Sequence, residues 1–325
     1  MTMPGADAIT RAADALRRGE LVAFPTETVY GLGADAASRD ALRRLYAVKR
    51  RPLDHPVIVH LASAGQLGDW TSSVPSGAQR LAAALWPGPL TMVLPRAAWV
   101  PDAADSSKLP TIGLRVPDQP VALALLREFG GGVAAPSANR FGRVSPTTAD
   151  DVRTDLGDDV AEVLDGGPCR VGIESTIVDW STDAPSILRL GGVPRETIEE
   201  LLGCAVPVRD DGSVRAPGTL ASHYAPATRV EVVAGGDLRA RARELSTCAR
   251  VGVIAPELPA DLPSSVVVVG VPVDADDYAH SLYRLFRIAD DERLDVVLAV
   301  PPPGKGIGAA VADRLRRAAG SRTWA

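Results

Sequence analysis

The sequence has 325 residues, 46% hydrophobic and 23% charged, with a formal net charge of −5. That length suits two folded domains better than one core, and the acidic balance argues against strong general affinity for nucleic-acid phosphates. Cys169, Cys204 and Cys248 form no CxxC pair and no apolar run approaches the roughly 18–20 residues needed to span a bilayer, so a disulfide framework, a structural zinc site and a membrane helix are all excluded and a cytoplasmic protein is expected.

Val-rich runs alternate with amphipathic Ala/Leu/Arg segments, an α/β pattern. Ile9, Ala12, Ala13 and Leu16 share a helical face, and residues 21–24 follow as a buried strand ending at Pro25. Ser38 reads as the N-cap of a helix that turns Ala41, Leu42, Leu45 and Tyr46 inward. Residues 57–61 form a strand, and 78–85 a short helix stopped by Trp86-Pro87-Gly88-Pro89. Strands are expected at 90–94, 112–116, 133–135, 162–164, 175–179 and 187–190, then a helix over 195–202. Several lack a helical crossover between them, so this first sheet is mixed. Periodicity disappears from Gly203 to Thr228, which reads as a linker. Strands at 230–233, 251–255, 266–269 and 296–300 then alternate with helices at 238–245, through Leu282, Leu285, Phe286 and Ala289, and up to about Ala319. That rhythm implies a small parallel sheet, Rossmann-like in outline.

The common catalytic signatures are missing. There is no GxxxxGK(S/T), GxSxG or HExxH, and His55 and His60 lack a standard zinc spacing. What remains is a set of polar clusters at strand ends. Pro25-Thr26-Glu27-Thr28-Val29-Tyr30-Gly31-Leu32-Gly33 suits a loop that closely approaches a ligand, or a plain turn. Lys49-Arg50-Arg51-Pro52 closes the Ser38 helix, where one cation suits the dipole, but three adjacent cations repel unless solvated or paired with an anion. Thr111-Ile112-Gly113-Leu114-Arg115 puts Thr111 and Arg115 on one strand face. Ala134-Ala135-Pro136-Ser137-Ala138-Asn139 is followed by Ser145-Pro146-Thr147, then Gly172-Ile173-Glu174-Ser175-Thr176, then Ile187-Leu188-Arg189-Leu190-Gly191-Gly192. Taken singly, half of these are turns.

In this order the six clusters resemble the YrdC-like threonylcarbamoyl-adenylate synthase family, in its long two-domain form. The resemblance runs from about Arg11 to Val193. It continues through Ser222-His223-Tyr224-Ala225-Pro226 and a last helix beginning Gly306-Ile307-Gly308-Ala309-Ala310. It implies an α/β fold: a YrdC-like mixed twisted sheet with helices over 1–203, an interdomain linker over 204–228, and a small Rossmann-like parallel α/β domain over 229–325. The family signature Lys-x-Arg followed by Ser-x-Asn falls on Lys49, Arg51, Ser137 and Asn139. By resemblance, Thr28, His60, Arg115, Ala135 and Ser175 line an L-threonine pocket. Arg51, His55, Thr111, Ser137, Ser145, Arg189 and Tyr224 contact ATP, with His55 standing where the family commonly has Asn.

The implied reaction joins L-threonine, bicarbonate or CO2, and ATP, and releases pyrophosphate. No protein nucleophile is needed, in keeping with the missing triads. Mg2+ is expected with ATP, with no organic cofactor and no dedicated protein metal site. The product passes to a tRNA threonylcarbamoyl transferase, with weak tRNA contact at most. Tyr224, in an aperiodic segment, is expected to serve as part of a lid. Two other readings stand beside this one. A hydrogenase-maturation-type carbamoyltransferase would need an acylphosphatase domain and Cys-rich zinc motifs, which this sequence lacks. An RNA-binding module fits poorly with the negative charge and with 4% aromatic residues.

Overall fold

The structure, a computed structural model, describes residues 4–52, 55–101, 109–182, 184–209 and 224–320. The chain divides into two compact units, Met1–Phe141 with Ser145–Thr219, and Gly142–Val144 with Leu220–Ala325. No helix among the described residues is long and apolar enough to cross a membrane.

In the first unit, nine strands form one mixed sheet among the described residues. They are β1 (Val22–Phe24), β2 (Gly31–Asp35), β3 (Ile58–His60), β4 (Leu90–Pro95), β5 (Thr111–Arg115), β6 (Val133–Ala134), β7 (Glu162–Val163), β8 (Thr176–Asp179) and β9 (Ser186–Arg189). Their order is β7-β1-β2-β6-β3-β5-β4-β8-β9. Pairing is parallel at β1–β7, β3–β5 and β4–β8, and antiparallel at the other junctions. The mixed sheet expected from the missing crossovers is therefore present.

Strand alternation decides which residues meet. Ile112 and Leu114 of β5 enter the main core with Val59, Met92, Leu94 and Val178. Helices α2 (Arg39–Lys49), α3 (Leu67–Trp70), α4 (Ser76–Leu85) and α7 (Arg195–Leu202) contribute Leu42, Leu45, Leu67, Leu81 and Ile198 to that core. The opposite face carries a small apolar group, Ile58, Val93, Ile177 and Leu188. Thr111, Gly113 and Arg115 belong to this second face. A further core joins α1 (Ala6–Arg17) and α5 (Pro120–Phe129) to Val22, Phe24, Val133 and Leu164.

Two parts of the sequence reading need correction. Gly31-Leu32-Gly33, the end of the cluster expected to be a ligand loop, instead begin β2. Gly33 is required there by packing: a Cβ would lie 2.9 Å from both Phe24 and Val133. The linker also does not begin at 204. Val206 is fully buried in the first core, and the residues after it pair with β9, with Ile187 N donating to Pro207 O (2.8 Å) and Arg209 N to Ile187 O (2.8 Å). Pro207 and the few apolar side chains in this stretch hide this edge pairing from a periodicity search. The rest of the expected linker, 210–223, including Ser222 and His223, lies outside the described residues. Helices α5 and α6 (Ala149–Leu156) are additions to the sequence reading. Both are short and N-capped by side chains: Gln119 Oε1 accepts from Val121 N and Ala122 N, and Thr148 and Asp151 form a capping box.

The second unit is simpler. β10 (Arg229–Val232), β11 (Val251–Ile254), β12 (Val267–Gly270) and β13 (Val296–Ala299) form a parallel sheet in the order β10-β13-β11-β12. Helices α8 (Leu238–Leu245), α9 (Ala275–Asp291) and α10 (Ile307–Ala319) complete it, with Leu282, Leu285, Phe286 and Ala289 of α9 buried as their spacing requires. Tyr224 is buried in this unit. Its ring stacks on Tyr283 with 6.0 Å between centroids, and the Arg314 guanidinium sits 4.9 Å above it.

The Thr148 capping box starts α6 directly after the Ser145-Pro146-Thr147 cluster. Thr148→Ala should remove about 1 kcal/mol from the first unit, read as a lower urea midpoint with an unchanged m-value. An unchanged midpoint would show that Asp151, which also accepts from Thr147 N and Thr148 N, holds the turn alone.

Candidate active site

One row across the sheet collects the predicted side chains. His60 pairs with Arg115 between β3 and β5. Met92 pairs with Leu114 between β4 and β5, which puts Thr91 next along that row. Thr91 pairs with Ile177 of β8, and Ile177 with Arg189 of β9. The sheet thus brings His60, Arg115 and Arg189 to one line, although 129 residues separate the first from the last.

The Arg115 end of the row is buried and polar. Nη1 donates to Thr28 Oγ1 (2.9 Å) and Nε to Gly88 O (3.3 Å). Nη2 lies 2.7 Å from Glu27 Oε1, with side chains only 5% and 1% exposed. This contact has ion-pair distance without hydrogen-bond alignment: both Glu27 oxygens and Arg115 Nη2 lack a hydrogen-bond partner, as does His60 Nδ1. A buried polar atom left unmet costs about 1–3 kcal/mol, so four together mark a place where something else binds. Thr28 Oγ1 also shares a 2.8 Å hydrogen bond with Thr26 Oγ1. Ala135 is fixed beside this group by its amide, which donates to Ile58 O (2.9 Å).

At the other end, Arg189 donates from Nε and Nη2 to Ser175 O (3.0 and 2.9 Å) and from Nη2 to Ser175 Oγ (3.1 Å). Ser175 Oγ in turn lies 2.8 Å from Thr91 Oγ1. The next residue, Glu174, accepts from Ser145 Oγ at 2.7 Å. Chain crossing here is so close that a Cβ on Gly191 would sit 2.3 Å from Glu174 O, which explains the glycine after Arg189.

The Lys49 cluster forms a second group in the first unit. The Lys49 ammonium is buried at the end of α2 and donates to Ser137 O (2.5 Å) and Asn139 O (2.6 Å). Lys49 therefore holds the Ser-x-Asn loop by its carbonyls. Return bonds close the loop onto the helix: Phe141 N donates to Lys49 O (2.9 Å), and Arg140 Nη1 to Val48 O. Arg51 donates to Pro56 O (2.8 Å) and packs 5.6 Å over Phe141, whose ring meets His55 edge-on at 5.4 Å. Burial pushes the Lys49 ammonium well down from its usual range. The charges of Arg51 and Arg140 push the same way, against Asp155. Arg140 is itself paired with Asp159 at 2.5 Å, which leaves Lys49 and Arg51 as the buried cations of this group.

Thr111 begins β5 and is half-buried, bordering a largely apolar cavity with Ile58, Val93, Gly113 and Ile177 on its wall. Ser137 is half-buried and bridges to Gly31. Tyr224 belongs to the second unit. Sequence reasoning quoted Glu27 and Glu174 within their clusters but gave them no role. The available signal was a carboxylate inside an otherwise apolar strand end, which needs a partner when buried.

Burial, and then the charge of Arg115, push the His60 imidazole down to about pH 3. Its folded pKa lies below the ordinary value near 6.5, so its neutral form supports the fold. That support is complete above pH 6.5 and is lost as pH falls towards 3, at no more than about 1.4 kcal/mol per pH unit. His60→Gln should flatten the stability profile between pH 6 and 4 in urea titrations. A profile as steep as the parent's would place the acid sensitivity elsewhere.

Comparison with known proteins agrees with this geometry. Residues 14–191 match the Sua5/YciO/YrdC family, described as telomere recombination, and residues 193–320 match the C-terminal domain of threonylcarbamoyl-AMP synthase. The threonylcarbamoyl-AMP synthase of Bacillus subtilis is 40% identical over 97% of this chain and 93% of its own. That of Pyrococcus abyssi is 40% identical over 96% and 94%. The crystal structure of P. abyssi Sua5 complexed with L-threonine superposes with a TM-score of 0.89 at 37% identity, covering 98% of this chain and 96% of that one. With both regions matched and the sheet row and the Lys49 latch in place, the chain belongs to the Sua5/YciO/YrdC family of threonylcarbamoyl-AMP synthases.

Proposed function

We propose that the chain is a nucleotidyltransferase that makes L-threonylcarbamoyl-AMP and pyrophosphate from L-threonine, CO2 or bicarbonate, and ATP. The observation that carries this reading is the buried pair of cations Lys49 and Arg51 beside the Ser-x-Asn loop, alongside the separate unmet polar group around Arg115. The first suits triphosphate and the second an amino acid. The names of the relatives support the same substrates.

The chemistry follows from these two sites. Threonine's amine attacks CO2 to give a carbamate. A carbamate oxygen then attacks the α-phosphorus, and pyrophosphate leaves. No protein nucleophile takes part, so the work is positioning two anions and compensating charge on phosphate. Arg115 takes the threonine carboxylate, while Thr28, His60, Ala135 and Ser175 shape its pocket. Arg51, His55, Thr111, Ser137, Ser145 and Arg189 serve ATP. Lys49 and Asn139 keep the loop that presents Ser137. Mg2+ would travel with ATP on phosphate oxygens and water. Among the described residues no group of three His, Cys, Asp or Glu side chains could hold a metal ion. The product serves threonylcarbamoyladenosine formation on tRNA in the cytoplasm, handed to a separate transferase.

Incubation with threonine, bicarbonate and α-labelled ATP tests the reading directly. A threonine-dependent adenylate with matching pyrophosphate is expected, and ATP hydrolysis without it would overturn the assignment. Lys49→Ala should lower turnover by roughly 10²–10³ in a variant that still melts cooperatively, and a near-normal rate would remove Lys49 from the machinery. Arg115→Ala should raise the KM for threonine at least ~10-fold and leave that for ATP within about twofold, as steady-state kinetics would show. Equal loss for both substrates would make Arg115 a phosphate ligand.

A further inference from the structure

Glu27 is a buried charge of the first unit that the mechanism above does not use. Its carboxylate is enclosed, faces Arg115 at 2.7 Å, and has two oxygens with no hydrogen-bond donor. An ion pair formed only to hold Arg115 would align its hydrogen bonds, because a buried pair gains little otherwise. Here the donor Arg115 Nη2 and the acceptor Glu27 Oε1 are adjacent and both unmet. An α-amino acid carries the complementary pair, a carboxylate and an ammonium separated by one carbon. Placed at this site, its carboxylate meets Nη2 and its ammonium meets Glu27.

We infer that Glu27 is the base that readies the amino acid for carboxylation. The inference rests on the proposed synthase reaction and names a residue for its first step. An ammonium has no lone pair and does not attack CO2. Glu27 takes one proton from it, breaking an N–H bond. The freed lone pair forms the N–C bond, and one C=O pair moves onto oxygen. The second proton of this adduct leaves to water, giving the carbamate.

The groups facing Glu27 fit this assignment. Arg115 approaches from β5, its Nη2 2.7 Å from Glu27 Oε1. Thr28, beside it in the chain, is bound to the same guanidinium. Cys169 approaches from the loop after β7, and its thiol is pushed up by burial and then by the Glu27 charge, so it stays protonated and does not compete. His60 of β3 stands on the far side of Arg115, and Asp151 of α6 acts on the same thiol.

The test uses the full chain, with turnover at saturating threonine measured from pH 7 to 9.5 and at low and high bicarbonate. Glu27→Gln should lower kcat by roughly 10²–10³ at pH 7. The deficit should shrink to within about tenfold at pH 9.5 in high bicarbonate, because amine and carbamate then form in water without a base. Glu27→Asp keeps a carboxylate and should show a smaller loss, rescued in the same way. It carries the test if melting shows Glu27→Gln to be unfolded. Unchanged kcat and pH profile in the variants would overturn the inference. So would a loss of constant size at every pH and bicarbonate level, which would make Glu27 a positioning partner of Arg115. A parent enzyme that forms no threonine-dependent adenylate would sink the synthase reading instead, before any variant is compared.

Discussion

The substrate side of the first unit depends on how a buried ammonium is satisfied. Lys49 ends α2 with its Nζ out of water, and the acceptors it finds are two carbonyls of the loop after β6. A cation against carbonyl dipoles is only partly compensated. The loop answers by bonding back to the helix through Phe141 N and Arg140. Helix end and loop therefore form one rigid object, and the Lys-x-Arg and Ser-x-Asn motifs are its two halves. That physical coupling is why the two motifs occur together across almost ninety residues. It also changes what Lys49 does. The residue organises the loop first, through its two carbonyl acceptors.

The sheet supplies the other half of the arrangement. Because β3–β5 is parallel and β4–β5 antiparallel, side chains from three separate parts of the chain reach one face in register. Gly113 leaves the middle of that face low, while Ile58, Val93 and Ile177 floor it. Polar atoms then stand at the ends of an apolar trough, where dielectric screening is weak and each charge counts for more. A nucleotide and an amino acid, each with an anionic and a less polar part, match that distribution.

Much of this could be read from the sequence, and the exceptions have physical causes. The β5 segment announced its two faces because odd and even positions differ so plainly in character. Ser38 was legible as a cap because its side chain does what an N-cap does, accepting from Ala41 N. Strand β2 was not legible. Its glycines answer to Phe24 and Val133 across the sheet, and a local reading sees only flexibility. The pairing of 206–209 with β9 was hidden because an edge strand needs few apolar residues. Among site residues, the resemblance supplied positions but not partners. Nothing in a linear sequence says that Arg115 reaches Glu27, or that Lys49 turns towards carbonyls.

Buried charge without aligned partners is a cost that a fold bears only where something offsets it. In the second unit, Arg314 is wholly enclosed, yet it has Tyr224 under its guanidinium and Asp313 at 2.7 Å. In the first, Arg189 is enclosed and directs donors at Ser175. Both are settled. Glu27 and Arg115 sit equally deep and face each other, but their closest atoms miss hydrogen-bond geometry. The contrast within one chain argues that the misalignment is local and retained. A site that must bind a zwitterion and then remove its positive charge needs an acceptor not already committed to a donor. A perfectly formed ion pair would be more stable and less useful there, because each hydrogen bond it made would have to be broken when the amino acid arrived.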